Sequence, residues 1–418
     1  MKQLIEKLNG GTVETRLNAL AELVKKEEKP IRRENDANNH IHTIYSFSPY
    51  SPTKAAYMAY RAGLTSAGIM DHDSLSGAEE FKRACKILGL GATCGVEVRC
   101  KFNRGYGKIN HPDQKDCVYM AAHGVPAQSI KAFNEYLQFY RNKRKERDEK
   151  MCKLITEKYG KFGIELDFEK DVVAISEDRD GGSITERHLL YALATKLENK
   201  FGRTDALVEF LQKDLNLSVN EKIKAFLLDE QNPHFLYDLL GVLKADTGFF
   251  YIDADEEMPL VDDFVKVAKS FGAIPAYAYL GDVGDSVTGD KKAQKFEDDF
   301  LEDLIEELKK IGFCAVAYMP TRNTYSQLQR LTKLLNENGL FEISGEDVNS
   351  PRQKFDCKAL ALPEYSHLIK STWALIGHEA ISSEKGIEEG MFSEKSISAT
   401  PNLKERIEKF ALIGKQTI

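Results

Sequence analysis

Helices alternating with short apolar strands constrain this chain more than any other feature, because that alternation suits a parallel sheet wrapped by helices. Ser51-Pro52 offers an N-cap followed by proline at the first helical position. That helix stops near Gly63, and LTSAGIM (64–70) reads as a buried strand. Ser76 and Glu79 read as a capping box for the next helix, which buries Phe81, Ala84, Cys85 and Leu88 and ends at Gly89. It delivers a strand around Val96–Val98. The pattern returns after residue 260. Val261, Phe264, Val265 and Ala268 sit at helical spacing before Gly272 and the strand AIPAYAY. Leu301, Leu304, Ile305 and Leu308 precede FCAVAY in the same way, and Leu328, Leu331, Leu334 and Leu335 precede LFEIS. So many such units predict a closed α/β barrel.

Residues 128–245 interrupt it. They are rich in Lys, Glu, Leu and Phe and poor in strand signal until GFFYID (248–253). This predicts a mostly helical insertion between a first barrel segment, 38–127, and a second, 246–418, which includes a C-terminal tail. Residues 1–37 read as a helical N-terminal extension, two short helices split by Gly10-Gly11.

Composition narrows the function classes. The 418 residues are 42% hydrophobic and 29% charged, the balance of a chain that buries a substantial core. No apolar run approaches the roughly 20 residues that cross a bilayer, so no membrane partner is expected. The first residues lack the apolar stretch of a secretory signal, and the seven cysteines contain no CxxC pair. A reducing, cytoplasmic setting is the expectation. A net charge of −7 gives no global attraction to nucleic acid, which rewards clustered Lys and Arg. Nucleic acid is thus a less favoured partner than a small anionic ligand. The run RNKRKERDEK (141–150) interleaves acids and bases at helical spacing and reads as a solvated helix face.

Histidines and carboxylates fall at informative places. His40-Ile41-His42 is an HxH, which on a strand aims both imidazoles to one side. Asp71-His72 closes the next predicted strand, and Glu97 lies in the one after. His123 follows in VYMAAHG, and Asp347 follows LFEIS. Barrel enzymes place their chemistry at the C-terminal ends of strands. Imidazole with carboxylate oxygen suits zinc, manganese or iron.

NHIHTIYSFSPYSP, AYRAGLTSAGIMDHDSLSGAEEF and GVEVR, over about 38–100, resemble the N-terminal motifs of the PHP (polymerase and histidinol phosphatase) family. The likeness resumes more loosely in GAIPAYAYLGD, in FEISGEDVNSPRQ and in ITERHLLYAL of the insertion. It implies a distorted seven-stranded (β/α) barrel, a (β/α)7 PHP barrel, holding up to three divalent metals. It also implies hydrolysis of a phosphate ester by metal-activated water.

Departures from the family pattern bear on the metals. The acid that the resemblance implies after the first motif is replaced in Ser46-Phe47-Ser48, Tyr279 stands where a histidine is implied, and the closing DxH is Asp347-Val348-Asn349. The resemblance assigns His40, His42, Glu97 and Asp347 to one metal, all present. It assigns Glu97 and His123 to a second, with Tyr279 replacing the third ligand. The last site keeps only His72, with Asn349 as a weak oxygen donor. One or two divalent ions (zinc, manganese or iron) are therefore expected, not three. Phe47 would give an apolar wall, Tyr279 a hydrogen bond to a phosphate oxygen, and Asp71 an orienting carboxylate beside the metals.

Arg187, His188 and Arg322 are the candidates for holding the phosphate, since a guanidinium matches phosphate with a bidentate fork. The expected substrate is a small phosphorylated molecule or nucleotide. A non-catalytic, regulatory metal-binding module and an exonuclease-like activity on oligonucleotide ends stand as alternatives.

Overall fold

The computed structural model describes residues 1–111, 114–284 and 294–418. Seven strands make one sheet in chain order: β1 (Ala37–Ile41), β2 (Ser66–His72), β3 (Gly91–Lys101), β4 (Cys117–His123), β5 (Ile274–Tyr279), β6 (Ala315–Tyr318) and β7 (Phe341–Ser344). Neighbours pair in parallel except at β4, which runs antiparallel to both β3 and β5. The all-parallel sheet expected from the helix–strand alternation fails there. The described part of 102–116 contains no helix, and a parallel return needs a crossover. Between β7 and β1 the ladder shrinks to one parallel bridge, Ile41 with Val348. Two backbone bonds flank it, His42 N to Val348 O at 2.9 Å and Val348 N to His40 O at 3.1 Å. The result is a nearly closed, barrel-like sheet in a mixed α/β fold.

Helices α1 (Lys2–Lys7) and α2 (Val13–Lys26) precede the sheet, and α3 (Pro52–Arg61) and α4 (Ala78–Leu88) flank β2. Between β4 and β5 come α5 (Ile130–Tyr159), α6 (Glu186–Phe201), α7 (Asp205–Glu209), α8 (Glu221–Leu228), α9 (Phe235–Leu243) and α10 (Val261–Ser270). Then α11 (Leu301–Ile311) leads into β6, and α12 (Tyr325–Asn338) into β7. The chain closes with α13 (Ser366–Lys385), α14 (Glu394–Ala399) and α15 (Leu403–Lys415).

Local chemistry explains most boundaries. The Ser51 side chain accepts from Lys54 N to start α3, with Pro52 in its first turn. Gly89, at φ 62, ends α4 in the left-handed conformation that a side chain resists. The expected capping box at Ser76 does not form. Gly77 holds the N-cap position, and Ser76 Oγ donates instead to Gly181 O at 3.2 Å, reaching across to the insertion. The N-terminal helices are no loose appendage. Leu17, Leu20 and Leu23 join the main core, and Arg16 holds Glu80 with two bonds of 2.8 and 2.6 Å in a buried pair.

Strand alternation divides the sheet into two faces. Ile41, Ile69, Val96, Val98, Met120 and Ala122 enter the core formed with the flanking helices. The opposite face carries His40, His42, Glu97 and His123. At the start of the strands this interior is filled by α13, whose Trp373, Leu375 and Ile376 pack with Ile274, Ala276, Phe341 and Ile343.

The insertion builds a second core from α5 to α9, and GFFYID contributes Phe250 to it without forming a strand. The 141–150 run departs most from expectation. Arg141, Arg144, Arg147 and Asp148 are buried, not solvated. A three-residue spacing puts these arginines on one face, and that face meets Asp73, Glu186 and Glu257 from three other segments. Removing one member of such a network leaves an uncompensated buried charge, at a cost of about 3–5 kcal/mol. No helix of the described residues is long and apolar enough to cross a membrane.

Candidate metal centre

The interior face of the first strands brings the predicted ligands together. His40 Nε2 and His42 Nε2 lie 3.1 Å apart, and His42 Nε2 is 3.3 Å from Asp347 Oδ1. Glu97 Oε2 stands 3.7 Å from each of those two imidazole nitrogens and 3.1 Å from His72 Nδ1. His40, His42 and Asp347 form one group with donor atoms within 4.8 Å of one another, and His42, His72 and Glu97 form a second. Donors 2.0–2.2 Å from a tetrahedral ion are about 3.3–3.6 Å apart, close to the spacing here.

Backbone placement makes this possible. The β1–β2 register shifts between Asn38 and Ile41, at the start of the HxH. Gly345 lets the chain after β7 pass so close that a Cβ there would meet His40 Cβ at 2.7 Å. That approach brings Asp347 beside the two histidines. Asn349 Nδ2 donates to Asp347 Oδ1 at 2.6 Å, so Asn349 orients the carboxylate through its nitrogen instead of offering an oxygen to a metal or substrate.

His123 arrives differently from the rest. Because β4 is antiparallel, its last residue pairs with Gly95 and with Ile274, the first residue of β5. His123 therefore enters the cavity from deeper in the barrel than Glu97. Its Nε2 is buried with no hydrogen-bond partner among the described residues. An orphaned imidazole nitrogen on a residue that lines the same cavity as His40, His72, Glu97 and Asp347 fits a ligand position.

Charge follows the same geometry. Burial opposes a charged His40, but Glu97 and then Asp347 outweigh it and raise the imidazole to about 8. Burial likewise opposes ionised Glu97, yet His40 and His72 hold it down at about 2. Asp347 is held below the usual carboxylate range against burial by His42, His40 and Arg187. Burial pushes His72 well below the ordinary histidine value, and His123 down to about 3. Anionic Glu97 and Asp347 beside the neutral imidazoles of His72 and His123 make a donor set for a divalent cation, and such a cation would compete with the proton that His40 holds.

Asp71 lies beneath this cluster. Its oxygens accept from Thr43 N and Thr43 Oγ1, both at 2.6 Å, and from Ser46 Oγ at 2.7 Å. It orders the loop after the HxH and does not line the cavity.

A cavity of about 330 Å³ opens over these residues, lined among others by His40, His72, Glu97, Tyr119, His123, Arg187, Arg322 and Asp347. Arg187, in the first turn of α6, makes no hydrogen bond or ion pair among the described residues. Arg322 is partly committed, its Nε donating to Leu280 O at 3.1 Å and its guanidinium lying 5.4 Å from the Phe296 ring centroid.

Three expectations change here. His188 is buried and its Nδ1 accepts from Thr185 N at 3.0 Å, so it caps α6 and stays outside the cavity lining. Tyr279 lines the cavity, but its hydroxyl donates to Asp298 Oδ1 at 2.6 Å and is turned from any phosphate oxygen. Phe47 is no cavity wall. Its ring packs 5.0 to 5.8 Å from His188, Tyr191 and Tyr237, pinning the insertion to the loop after β1.

Tyr119 escaped the sequence reading. Its ring centroid lies 6.2 Å from that of His72, and burial raises its phenol above the ordinary value, so the hydroxyl stays protonated. The signal was present: residues 119, 121 and 123 share one face of a strand, and His123 had been singled out.

No family model matches the sequence. A 5'-3' exoribonuclease of Haemophilus influenzae is 34% identical over 59 residues, 14% of this chain and only 22% of that protein's length. Among solved structures, a "putative metal-dependent phosphoesterase" from Bifidobacterium adolescentis aligns with 80% of this chain and 96% of its own. The TM-score is 0.51 and the identity 16%. An amidohydrolase from Chromobacterium violaceum, with sulfate bound and no metal, has a TM-score of 0.49 and 17% identity. The first of these structures supports the fold.

Proposed function

We propose that this chain is a metal-dependent hydrolase of phosphate esters, acting on a substrate small enough for the cavity above His40, His42, Glu97 and Asp347. One observation carries the reading: Arg187, a guanidinium with no hydrogen bond or ion pair among the described residues, lines the same cavity as a cluster of metal-type donors. An unpaired cation beside such donors is what a tetrahedral or planar phosphoryl group requires.

His40, His42, Glu97 and Asp347 would hold the first divalent ion, and Glu97 with His123 would hold part of a second. When bound, such ions polarise a phosphoryl oxygen and lower the pKa of a water. Arg187 takes the charge that develops on the phosphoryl oxygens. Tyr119 keeps its proton and can donate a hydrogen bond into the cavity, the part first expected of Tyr279. Arg322, against Phe296, lines the same cavity and would contact the leaving group.

The short match to a 5'-3' exoribonuclease favours a second reading, hydrolysis at the 5' end of an oligoribonucleotide. Both readings are tested on purified protein supplied with manganese or zinc. Release of phosphate from 4-nitrophenyl phosphate and nucleoside monophosphates is measured beside cleavage of short 5'-phosphorylated oligoribonucleotides. Turnover lost in Arg187→Met with metal content unchanged supports the assignment. Absence of turnover on every ester sinks it.

A further inference from the structure

We infer that the Arg99–Glu186–Arg147 bridge is a positioning device that holds Arg187 over the candidate metal centre, an inference that rests on Arg187 being the anion-binding cation.

The bridge is built across three elements. Glu186 opens α6, and Arg187 is the next residue. The Glu186 Oε1 atom accepts from Arg99 Nη1 on β3 at 3.0 Å and from Arg147 Nη2 on α5. Arg147 spends its remaining nitrogens nearby, Nε on Glu257 Oε2 at 2.5 Å and Nη1 on Ile252 O at 2.7 Å. Arg99 also reaches Glu257. Arg99, Arg147 and Glu257 are buried. Arg99 lies two residues beyond Glu97 on β3, on the same face by strand alternation. The carboxylate next to Arg187 is thus tied directly to the strand that carries a candidate ligand.

Two further contacts show that the same network addresses the centre. Arg144 Nη2 pairs with Asp73 Oδ2 at 3.2 Å, and Arg141 Nη1 donates to Asp73 O at 2.7 Å. Asp73 follows His72 directly and holds φ 53, a left-handed conformation that non-glycine residues seldom adopt. The arginine row of α5 therefore grips the residue after His72 and the residue before Arg187. A simple core would have served to dock the insertion; these ion pairs add a fixed direction, because an arginine fork accepts few arrangements of its carboxylate.

Among the described residues Arg187 itself has no hydrogen bond or ion pair to define where its guanidinium goes. Its main chain is the only fixed part, and the Glu186 bridge fixes it. Without the bridge the first turn of α6 retains its cap at Thr185 and His188, so the helix persists while its aim loosens.

The test is inorganic phosphate binding to the manganese-loaded protein, measured by calorimetry in Glu186→Gln, Arg147→Lys and Arg187→Ala, and in each of the first two combined with Arg187→Ala. The expected result is a roughly tenfold weaker Kd in Glu186→Gln and Arg147→Lys, with less than a twofold further loss when either is added to Arg187→Ala. Bound manganese should stay at the wild-type level in Glu186→Gln. Glu186→Gln keeps the side-chain shape, so it serves if Arg147→Lys fails to fold. Unchanged phosphate affinity in Glu186→Gln, or a loss of equal size with and without Arg187, overturns the inference. Wild type that binds no phosphate overturns it too. Wild type that binds phosphate through Arg187 yet hydrolyses no ester removes the proposed reaction and leaves the positioning standing.

Discussion

The Ser46 hydroxyl stands 3.3 Å from His42 Nδ1 and gives its single proton to Asp71 Oδ1 at 2.7 Å. Its proton being spent, Ser46 accepts, and His42 must carry its own proton on Nδ1. The lone pair is thereby left on Nε2, the nitrogen that faces His40, Glu97 and Asp347. A buried carboxylate two bonds away sets the tautomer of a candidate ligand.

Ser46→Ala removes that constraint. Loss of a partner of this kind weakens metal binding by about 10–100-fold, whereas Ser46→Thr keeps the hydroxyl and most of the affinity. Competition with a chromogenic chelator reads both. An alanine variant as tight as wild type would show that the ring is held in another way.

Metal count follows from the donor sets. Elemental analysis after saturation with manganese or zinc should find one or two ions per chain, and Asp347→Ala should release the one shared by His40 and His42. The ligand cluster contains no third carboxylate where Phe47 stands. Three tightly held ions in wild type would overturn this.

Phe47→Asp, which the sequence alone would suggest as a way to restore a metal ligand, should instead unfold the insertion's edge. The ring lies among His188, Tyr191 and Tyr237 in the second core. Phe47→Ala should cost about 3–5 kcal/mol, the usual loss for a buried phenyl ring, and the aspartate more, because its charge is buried without a partner. Urea unfolding measures both. A stable aspartate variant that gains a metal would reverse the interpretation.

Glu297 gives a pH-dependent prediction. Burial raises its carboxyl to about 7, opposed by bonds from Leu280 N and Gly281 N that favour the anion. An acid whose folded value lies above its unfolded one binds its proton more tightly in the fold. Its contribution is complete below pH 4.5 and is lost as pH rises to about 7. Glu297→Gln does not titrate. Its stability relative to wild type should improve across that window at up to ~1.4 kcal/mol per pH unit, and thermal unfolding at pH 4.5, 6 and 8 reads the change. A flat difference would mean that Glu297 stays ionised in the fold.

Sequence alone determined the features that depend on local period and side-chain chemistry. Helices α3, α4, α10, α11 and α12 and the strands that follow them were readable, because each buries a face at 3.6 or 2 residues in its own segment. His40 and His42 share a side for the same reason, His72, Glu97 and His123 were legible as donor-type side chains on strands, and Asp347 as one in the loop after a strand. Tertiary structure decided what depends on partners far away in the chain. The direction of β4 was set by the absence of a crossover helix, and it moved His123 deeper into the barrel. Arg141, Arg144 and Arg147 looked solvated because a helix face full of charge is usually wet. They are buried because Glu186, Glu257 and Asp73, from distant segments, supply the opposite charges. The fates of His188, Tyr279 and Asn349 were settled likewise by Thr185, Asp298 and Asp347. A side chain's chemistry is written at its own position, but whether its proton or lone pair is free depends on the neighbours that folding brings to it.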